Sequence, residues 1–126
     1  MKADLEHQLA RLGRSLGVGD AHAPRFVEAL RHGSMWVELY APADVDRQQP
    51  HAHDELYFIA RGSATLLMGD PHQPRRHAAA PGDVLFVPAR CWHRFVDFSD
   101  DFATWAVFYG PEGGEPDRTR PDPNPQ

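Results

Sequence analysis

Hydrophobic residues near the amino terminus recur with the spacing of one face of a helix. Leu5, Leu9, Leu12 and Leu16 follow one another at intervals of four, three and four residues, which draws one apolar stripe along an α-helix. Acidic residues near the start of this segment and arginines near its end suit the helix dipole. The pattern predicts a short amphipathic helix. The small residues that follow, up to Pro24, predict a linker.

From residue 25 onward the hydrophobic period changes from that of a helix to that of a strand. Short runs rich in β-branched and aromatic residues alternate with Gly, Pro and Asp turn signals. The predicted strands cover residues 25–30, 35–40, 55–60, 64–68, 84–87, 92–98 and 102–109, with a short edge strand within residues 72–80. Strands that recur at intervals of about ten residues are typical of an all-β sandwich or barrel.

The predicted strand at residues 55–60 has two apolar faces. Alternation places on one face Glu55, Tyr57 and Ile59, and on the other Leu56, Phe58 and Ala60. A strand of this kind is expected to lie between a barrel interior and a second layer. In an oligomer that second layer would be a neighbouring subunit.

The segment that leads into this strand carries candidate metal ligands. Gln49, His51, His53 and Glu55 occupy every second position, so an extended backbone would project all four side chains to one face. Imidazole and carboxylate groups supply the donors that suit divalent first-row metals. A further donor, His93, follows a Pro-containing turn. The alternative interpretation is that these are ordinary polar residues of a loop and an exposed strand.

Two segments resemble the paired motifs of the cupin superfamily. The first is HAHDE at residues 51–55, followed after six residues by Gly62. The second begins at Gly82, continues through five residues to Pro88, and reaches His93 five positions later. The resemblance implies a double-stranded β-helix, or jelly-roll barrel, preceded here by the short helix. It also implies a metal held inside the barrel by His51, His53, Glu55 and His93.

The first motif departs from the cupin pattern in its spacing. Only Asp54 separates His53 from Glu55, whereas three or four residues are usual at this point in the family. If Glu55 and Gly62 anchor the alignment, His51 takes the place of the second histidine and Gln49 that of the first. The fourth ligand is therefore either His53 or Gln49, while His51, Glu55 and His93 belong to both sets.

Length and composition indicate a single domain. The chain has 126 residues, of which 41% are hydrophobic and 25% charged, as in ordinary soluble proteins. We predict a helix and linker at residues 1–24, a barrel at residues 25–110 and a disordered tail at residues 111–126. The net charge of -5 argues against a nucleic-acid partner. The sequence has no long apolar run or secretory leader and a single cysteine, Cys91, so we expect no membrane association and a cytoplasmic location.

Two classes of function agree with these features. The first is a metal-dependent enzyme, of dioxygenase, isomerase or lyase type, that uses Fe, Mn, Ni or Zn on a small oxygen-rich metabolite. Tyr57 and Asp97 share the strand parity of the expected ligands and are the candidate catalytic residues. The second is a non-catalytic module that captures a metal or metabolite, and a polar site that has lost its metal is a third interpretation. Similar small cupins often form homodimers, which we also expect here.

Overall fold

The computed structural model describes residues 1–15 and 25–116. The predicted linker, and residues 117–126 of the predicted tail, lie outside the described residues. The elements in chain order are α1 (Leu5–Ser15), β1 (Phe26–His32), β2 (Met35–Tyr40), β3 (Asp54–Arg61), β4 (Ala64–Met68), β5 (Arg75–Ala79), β6 (Val84–Val87), β7 (His93–Val96) and β8 (Ala103–Tyr109). One short helix and eight strands in this part of the chain confirm the predicted all-β class.

The strands form two antiparallel sheets. The larger sheet has the order β1-β2-β8-β3-β6, and the smaller sheet has the order β5-β4-β7. Strand β3 lies between β8 and β6 in the larger sheet, where Tyr57 is opposite Ala106 on one side and Leu85 on the other. These two packed sheets match the predicted jelly-roll architecture, and β3 occupies an interior position in it.

The main core lies between the two sheets. Tyr57 and Ile59 project inward from β3 and are almost fully buried, while Leu66 of β4 and Phe95 of β7 face them from the smaller sheet. The rings of Tyr57 and Phe95 meet edge to face, with their centroids 4.8 Å apart. The strict alternation along β3 therefore carries every second side chain into this core.

Helix α1 covers part of the outer face of the larger sheet. Leu12 is only 2% exposed and packs with Val27 of β1 and Leu39 of β2. Leu5 and Leu9 extend the same contact, so these leucines of the predicted stripe lie on the buried side of the helix. The fourth, Leu16, lies outside the described residues. The part of the sheet beyond the helix stays exposed, and Phe58 there retains 40% of its accessible surface.

Several boundaries differ from those predicted, and two of the differences have a clear structural cause. Strand β7 ends at Val96, because Asp97 adopts a left-handed backbone with φ 52° that an extended strand cannot continue. Residues 111–116 of the predicted tail form a turn against the barrel, where the amide of Gly113 donates to the carbonyl of Ala52 over 2.7 Å. The disorder predicted for the rest of the tail remains a prediction.

The turn between β3 and β4 depends on Gly62. Its φ is +72°, and a β-carbon at this position would lie 2.5 Å from Ser99 Oγ and 2.6 Å from the Cα of Phe102. Gly33, in the turn between β1 and β2, has a similar φ of +58°, but a β-carbon there would have no heavy atom of the described residues within 4 Å. Both positions therefore have a strained backbone for any other residue, but only at Gly62 would a side chain also clash with its neighbours.

We expect Gly62→Ala to lower the free energy of unfolding more than Gly33→Ala does. Both substitutions place a side chain at positive φ, at a cost of about 1–2 kcal/mol. Only the change at Gly62 adds a steric clash, for which overpacking costs about 1–3 kcal/mol more. Urea denaturation of both variants measures the difference, and equal losses of stability would contradict the packing argument.

Candidate metal centre

Three side chains meet inside the barrel at one end of β3. Glu55 lies at the start of β3, His93 at the start of β7, and His51 in the loop before β3. Glu55 Oε1 is 3.2 Å from His51 Nδ1 and 3.4 Å from His93 Nε2. One ligand atom from each residue lies within 4.8 Å of the other two. Three of the four predicted ligands are thus brought together.

The cluster contains four buried polar atoms that have no hydrogen-bond partner among the described residues. They are His51 Nδ1, both carboxylate oxygens of Glu55, and His93 Nε2. Buried polar atoms are normally paired, because leaving one unsatisfied costs about 1–3 kcal/mol or more. Here all four belong to the same cluster, so one group bound among them would satisfy them together.

The orientation of His93 favours a cation as that group. Its Nδ1 lies 3.0 Å from the carbonyl oxygen of Cys91, which can only accept a hydrogen bond, so Nδ1 carries the proton. In the neutral imidazole this leaves a lone pair on Nε2, facing the Glu55 carboxylate. Two acceptors then face each other across a gap that a metal ion fits. The types of donor atom and their orientation therefore fit a metal ion.

His51 is held by backbone and ring contacts and is the most accessible of the three. The amide of Arg90 donates to its carbonyl oxygen over 2.6 Å, and its ring packs edge to face on Phe108. Burial lowers the pKa of the His51 imidazole, but the adjacent Glu55 carboxylate outweighs this and raises the pKa overall. Its side chain is 31% exposed, whereas those of Glu55 and His93 are 1% exposed.

His53 and Gln49 do not join the cluster. The backbone bends at residues 52 and 53, and β3 begins only at Asp54. The alternation of side chains between two faces therefore does not extend to the residues before the strand. The ring of His53 packs edge-on against Trp36, and its Nδ1 lies 3.0 Å from the carbonyl oxygen of Gly110. Gln49 is exposed at the rim. Neither candidate for the fourth ligand faces Glu55 in this conformation.

The two candidate catalytic residues lie in different environments. Tyr57 is fully buried, and its hydroxyl donates to Gln48 Oε1 over 3.1 Å. Burial, strengthened by the nearby Glu55 carboxylate, raises the pKa of the Tyr57 phenol well above its usual value. Asp97 is exposed beyond the end of β7. The expectation that it continues the inward face of His93 and Phe95 is wrong, because its backbone leaves the strand geometry.

Comparison with known proteins agrees with this architecture. A family model described as the cupin domain matches residues 36–109, which make up more than half of the chain. The chain belongs to the cupin family. A relative from Streptomyces coelicolor, itself uncharacterised, is 37% identical over 89 residues that cover 69% of this cupin and 81% of the relative.

Several solved structures share this fold. A cupin superfamily protein from Desulfitobacterium hafniense matches with a TM-score of 0.54 and 20% identity, over 72% of this chain and 81% of its own. A Ralstonia eutropha protein with a provisional mannose-6-phosphate isomerase designation matches with a TM-score of 0.55 and 26% identity, over 71% and 88%.

A larger enzyme shares the fold as well. Hydroxypropylphosphonic acid epoxidase from S. wedmorenis matches with a TM-score of 0.54 and 21% identity over 67% of this chain. This cupin spans 49% of the epoxidase chain, about half its length. Structures of that epoxidase are described with Fe(II) and with Co(II). At this level of identity the likeness concerns the fold alone.

A buried carboxylate that sequence reasoning missed organises the loop beside the cluster. Asp46 is 1% exposed and accepts hydrogen bonds from the Tyr40 hydroxyl, from the amide and side chain of Gln48, and from the amide of Phe95. Gln48 in turn accepts the Tyr57 hydroxyl. An aspartate in a polar loop gives no periodic signal, so only the fold reveals that it ties this loop to β7.

A second missed carboxylate fixes the turn that precedes His93. Asp54, 6% exposed, accepts the amide of Ala89 through one oxygen and the amide of Glu115 through the other, both over 2.9 Å. It therefore joins the start of β3 to the β6–β7 turn and to the segment after β8. The backbone on both sides of the cluster is held by this one side chain.

A cavity of about 290 Å³ opens beside His51. Its walls are formed by Phe26, Glu38, Tyr40, Arg47, Gln48, Gln49, Pro50 and His51. Glu38 Oε2 accepts a hydrogen bond from Trp36 Nε1 over 3.1 Å. Burial raises the pKa of the Glu38 carboxyl, against the opposing effect of the Trp36 hydrogen bond. His51 belongs to both the cavity and the cluster, whereas Glu55 and His93 do not line the cavity, so a ligand there would reach the cluster from the side of His51.

We expect Asp46→Asn to lower the free energy of unfolding by about 1–3 kcal/mol. Each carboxylate oxygen accepts two of the four hydrogen bonds. An amide replaces one oxygen with an NH₂ group, so two donors lose their acceptor. Asp44→Asn is the matched control, because Asp44 is exposed and its φ of 61° suits asparagine. Urea denaturation compares the two variants. Equal stability of both would show that the Asp46 hydrogen bonds contribute nothing net.

Proposed function

We propose that this cupin binds a divalent transition metal through His51, Glu55 and His93 and acts as a metal-dependent enzyme on a small oxygen-rich metabolite. The observation that carries the proposal is that one ligand atom from each of these three residues lies within 4.8 Å of the other two. The buried ring nitrogens and carboxylate oxygens of this cluster also have no hydrogen-bond partner among the described residues. Two imidazoles and one carboxylate leave coordination positions open for a substrate. Iron, manganese, nickel and zinc are all compatible with such a set.

The metal, the cavity and the surrounding side chains would have different roles in such a reaction. A metal at this site would polarise a carbonyl or enolate of the substrate, or activate dioxygen. The cavity beside His51 admits a small molecule, and the burial of Glu55 and His93 keeps bulk water from the inner side of the cluster. Tyr57 remains a neutral phenol, so its role is to position groups by hydrogen bonding and not to accept a proton. Asp97 is not included among the proposed catalytic residues, since it is exposed outside the barrel.

The type of reaction stays open among oxidation, isomerisation and lyase chemistry. One protein of similar fold is an epoxidase, and another has a provisional isomerase designation. The donor set supports each of these reaction types, because all of them use a metal ion as a Lewis acid or as a site for oxygen.

A cytoplasmic location also belongs to the proposal. The described residues include no helix long and apolar enough to cross a membrane.

A non-catalytic module is the second candidate. The observation that favours it is the state of Tyr57, whose hydroxyl is already bonded to Gln48 and whose pKa is raised well above its usual value. This side chain is therefore poorly suited to proton transfer. A cupin that captures a metal or metabolite without turnover needs no such group. Oxygen consumption and substrate turnover by the metal-loaded protein distinguish the two candidates.

We further propose that a second copy of the chain covers the exposed apolar patch on the larger sheet. The patch is a groove of about 320 Å³ lined by Ala3, Leu30, Val37, Phe58, Trp105 and Val107. It continues across β3 to Val84 and Phe86, which are 54% and 47% exposed. A contiguous apolar surface of this kind marks a protein interface more often than free surface.

His93→Ala is expected to lose most of the bound metal while keeping the fold, because the apolar core does not depend on this side chain. Elemental analysis of protein purified without added metal or chelator measures the loss, and circular dichroism checks the fold. His53→Ala is the matched control and should retain metal. Unchanged metal content in the His93 variant would refute the site. Loss of metal in the His53 variant as well would restore His53 as a fourth ligand.

Phe58→Glu is expected to convert a dimer into a monomer. In a two-fold interface the substitution buries two carboxylates without partners, which strongly disfavours association. Val45→Glu serves as the control, since Val45 is 49% exposed on the loop between β2 and β3 and outside the patch. Light scattering coupled to gel filtration gives the mass of each variant. A monomeric parent protein would refute the proposed interface.

A further inference from the structure

The cavity beside His51 carries a positively charged side chain that makes no ion pair within the described part of the chain. Arg47 lines the cavity and is exposed. Every ion pair found among the described residues involves other side chains. A guanidinium group presents a rigid fork of donors that matches carboxylate and phosphate oxygens. At the wall of a cavity that also contains a candidate metal ligand, such a group is placed to bind part of a substrate.

The backbone that carries Arg47 is held in place from both sides. Its neighbour Asp46 is buried and bonded to the amide of Phe95. Its other neighbour, Gln48, donates to Asp46 from both its backbone amide and its side chain, over 3.0 and 3.1 Å. Arg47 therefore projects from an anchored stretch of an otherwise irregular loop. An anchored backbone lowers the entropy lost when the side chain engages a ligand.

The charges around the cavity favour an anion with a defined orientation. A single carboxylate, Glu55, leaves a bound divalent ion with net positive charge, and Arg47 adds to it. Glu38 lines the same cavity from β2 and would repel an anion close to it. An anionic ligand is therefore oriented with its charged group toward Arg47, while a hydroxyl or other donor group suits the side of Glu38.

We propose that Arg47 is a specificity-determining residue that selects metabolites carrying an oxyanion, either a carboxylate or a phosphate. The cavity of about 290 Å³ is at the lower end of ordinary ligand sites, so the ligand is small. This inference rests on the proposed function, since it places the anionic group beside the metal centre. It adds the chemical class of the substrate, which the metal ligands do not define.

The test is isothermal titration of the metal-loaded protein with three probes: succinate, inorganic phosphate and succinamide. Succinamide has nearly the shape of succinate but no charge. We expect at least one of the two anions to bind and succinamide to bind much more weakly. The preferred anion identifies carboxylate or phosphate as the source of the recognised group. Binding of succinamide as tight as that of succinate, or no binding of either anion at millimolar concentration, would overturn the proposal.

Substitutions of Arg47 test whether this side chain is the group that binds the anion. Arg47→Gln should weaken binding of the preferred anion by about tenfold or more, as expected for the loss of a charge-assisted hydrogen bond, and should leave binding of succinamide unchanged. Arg47→Lys should restore part of the affinity, because it returns the charge without the fork. Arg76→Gln, which removes another exposed charge from β5 outside the cavity, should have no effect. An equal loss in the Arg47→Gln and Arg76→Gln variants would show a general charge effect and refute the assignment.

Metal analysis of the same samples separates the two proposals. Arg47→Gln is expected to retain full metal content, since Arg47 is not among the clustered ligands. If the protein holds no metal but anion binding still depends on Arg47, the proposed function fails and the anion subsite stands. If metal is bound and anion binding is independent of Arg47, the subsite fails and the metal centre stands.

Discussion

The barrel buries a carboxylate that no described residue hydrogen-bonds. Glu55 is 1% exposed, within a core otherwise composed of aromatic and aliphatic side chains. Its Oε1 lies 3.2 Å from His51 Nδ1 and 3.4 Å from His93 Nε2, but neither oxygen makes a hydrogen bond of regular geometry in this part of the chain. Removing a carboxylate from water is among the largest unfavourable terms in protein folding unless an opposite charge compensates it. The two facing imidazoles provide only part of that compensation. The free energy of the whole fold is therefore linked to what binds between these three residues.

The other two buried carboxylates among the described residues accept hydrogen bonds, and the contrast with Glu55 is informative. Asp46 and Asp54 lie close to Glu55 in the chain, but each accepts several hydrogen bonds from backbone amides or side chains. These two residues hold together segments that the sheets do not connect. Asp46 and Asp54 fix the backbone around the cluster, whereas neither oxygen of Glu55 has a hydrogen bond of this kind among the described residues. This difference is what the proposed function uses, since it assigns a binding role to Glu55 and a structural role to Asp46 and Asp54.

The periodic part of the chain is well predicted from sequence. The stripe of α1 and the alternation of β3 follow from side-chain geometry, and the second cupin motif brings His93 to its place at the start of β7. At two points, however, the local backbone conformation makes predictions from side-chain alternation wrong. The bend at residues 52 and 53 turns His53 away from Glu55, and the left-handed conformation of Asp97 ends β7 early. Alternation holds only while the backbone is extended, so extrapolating it beyond a strand misplaces side chains. Asp46 and Gln48 have no periodic signal at all, because loop hydrogen bonds depend on contacts across the fold.

The uneven exposure of the three clustered side chains has a kinetic consequence. Glu55 and His93 are enclosed by the barrel and do not line the cavity, whereas His51 lines it from the segment that precedes the strand. An ion that entered through this cavity would meet His51 before the two inner groups. Side-chain rotation is faster than the opening of packed strands, so entry by this route would depend on the rotation of His51 and not on opening of the barrel.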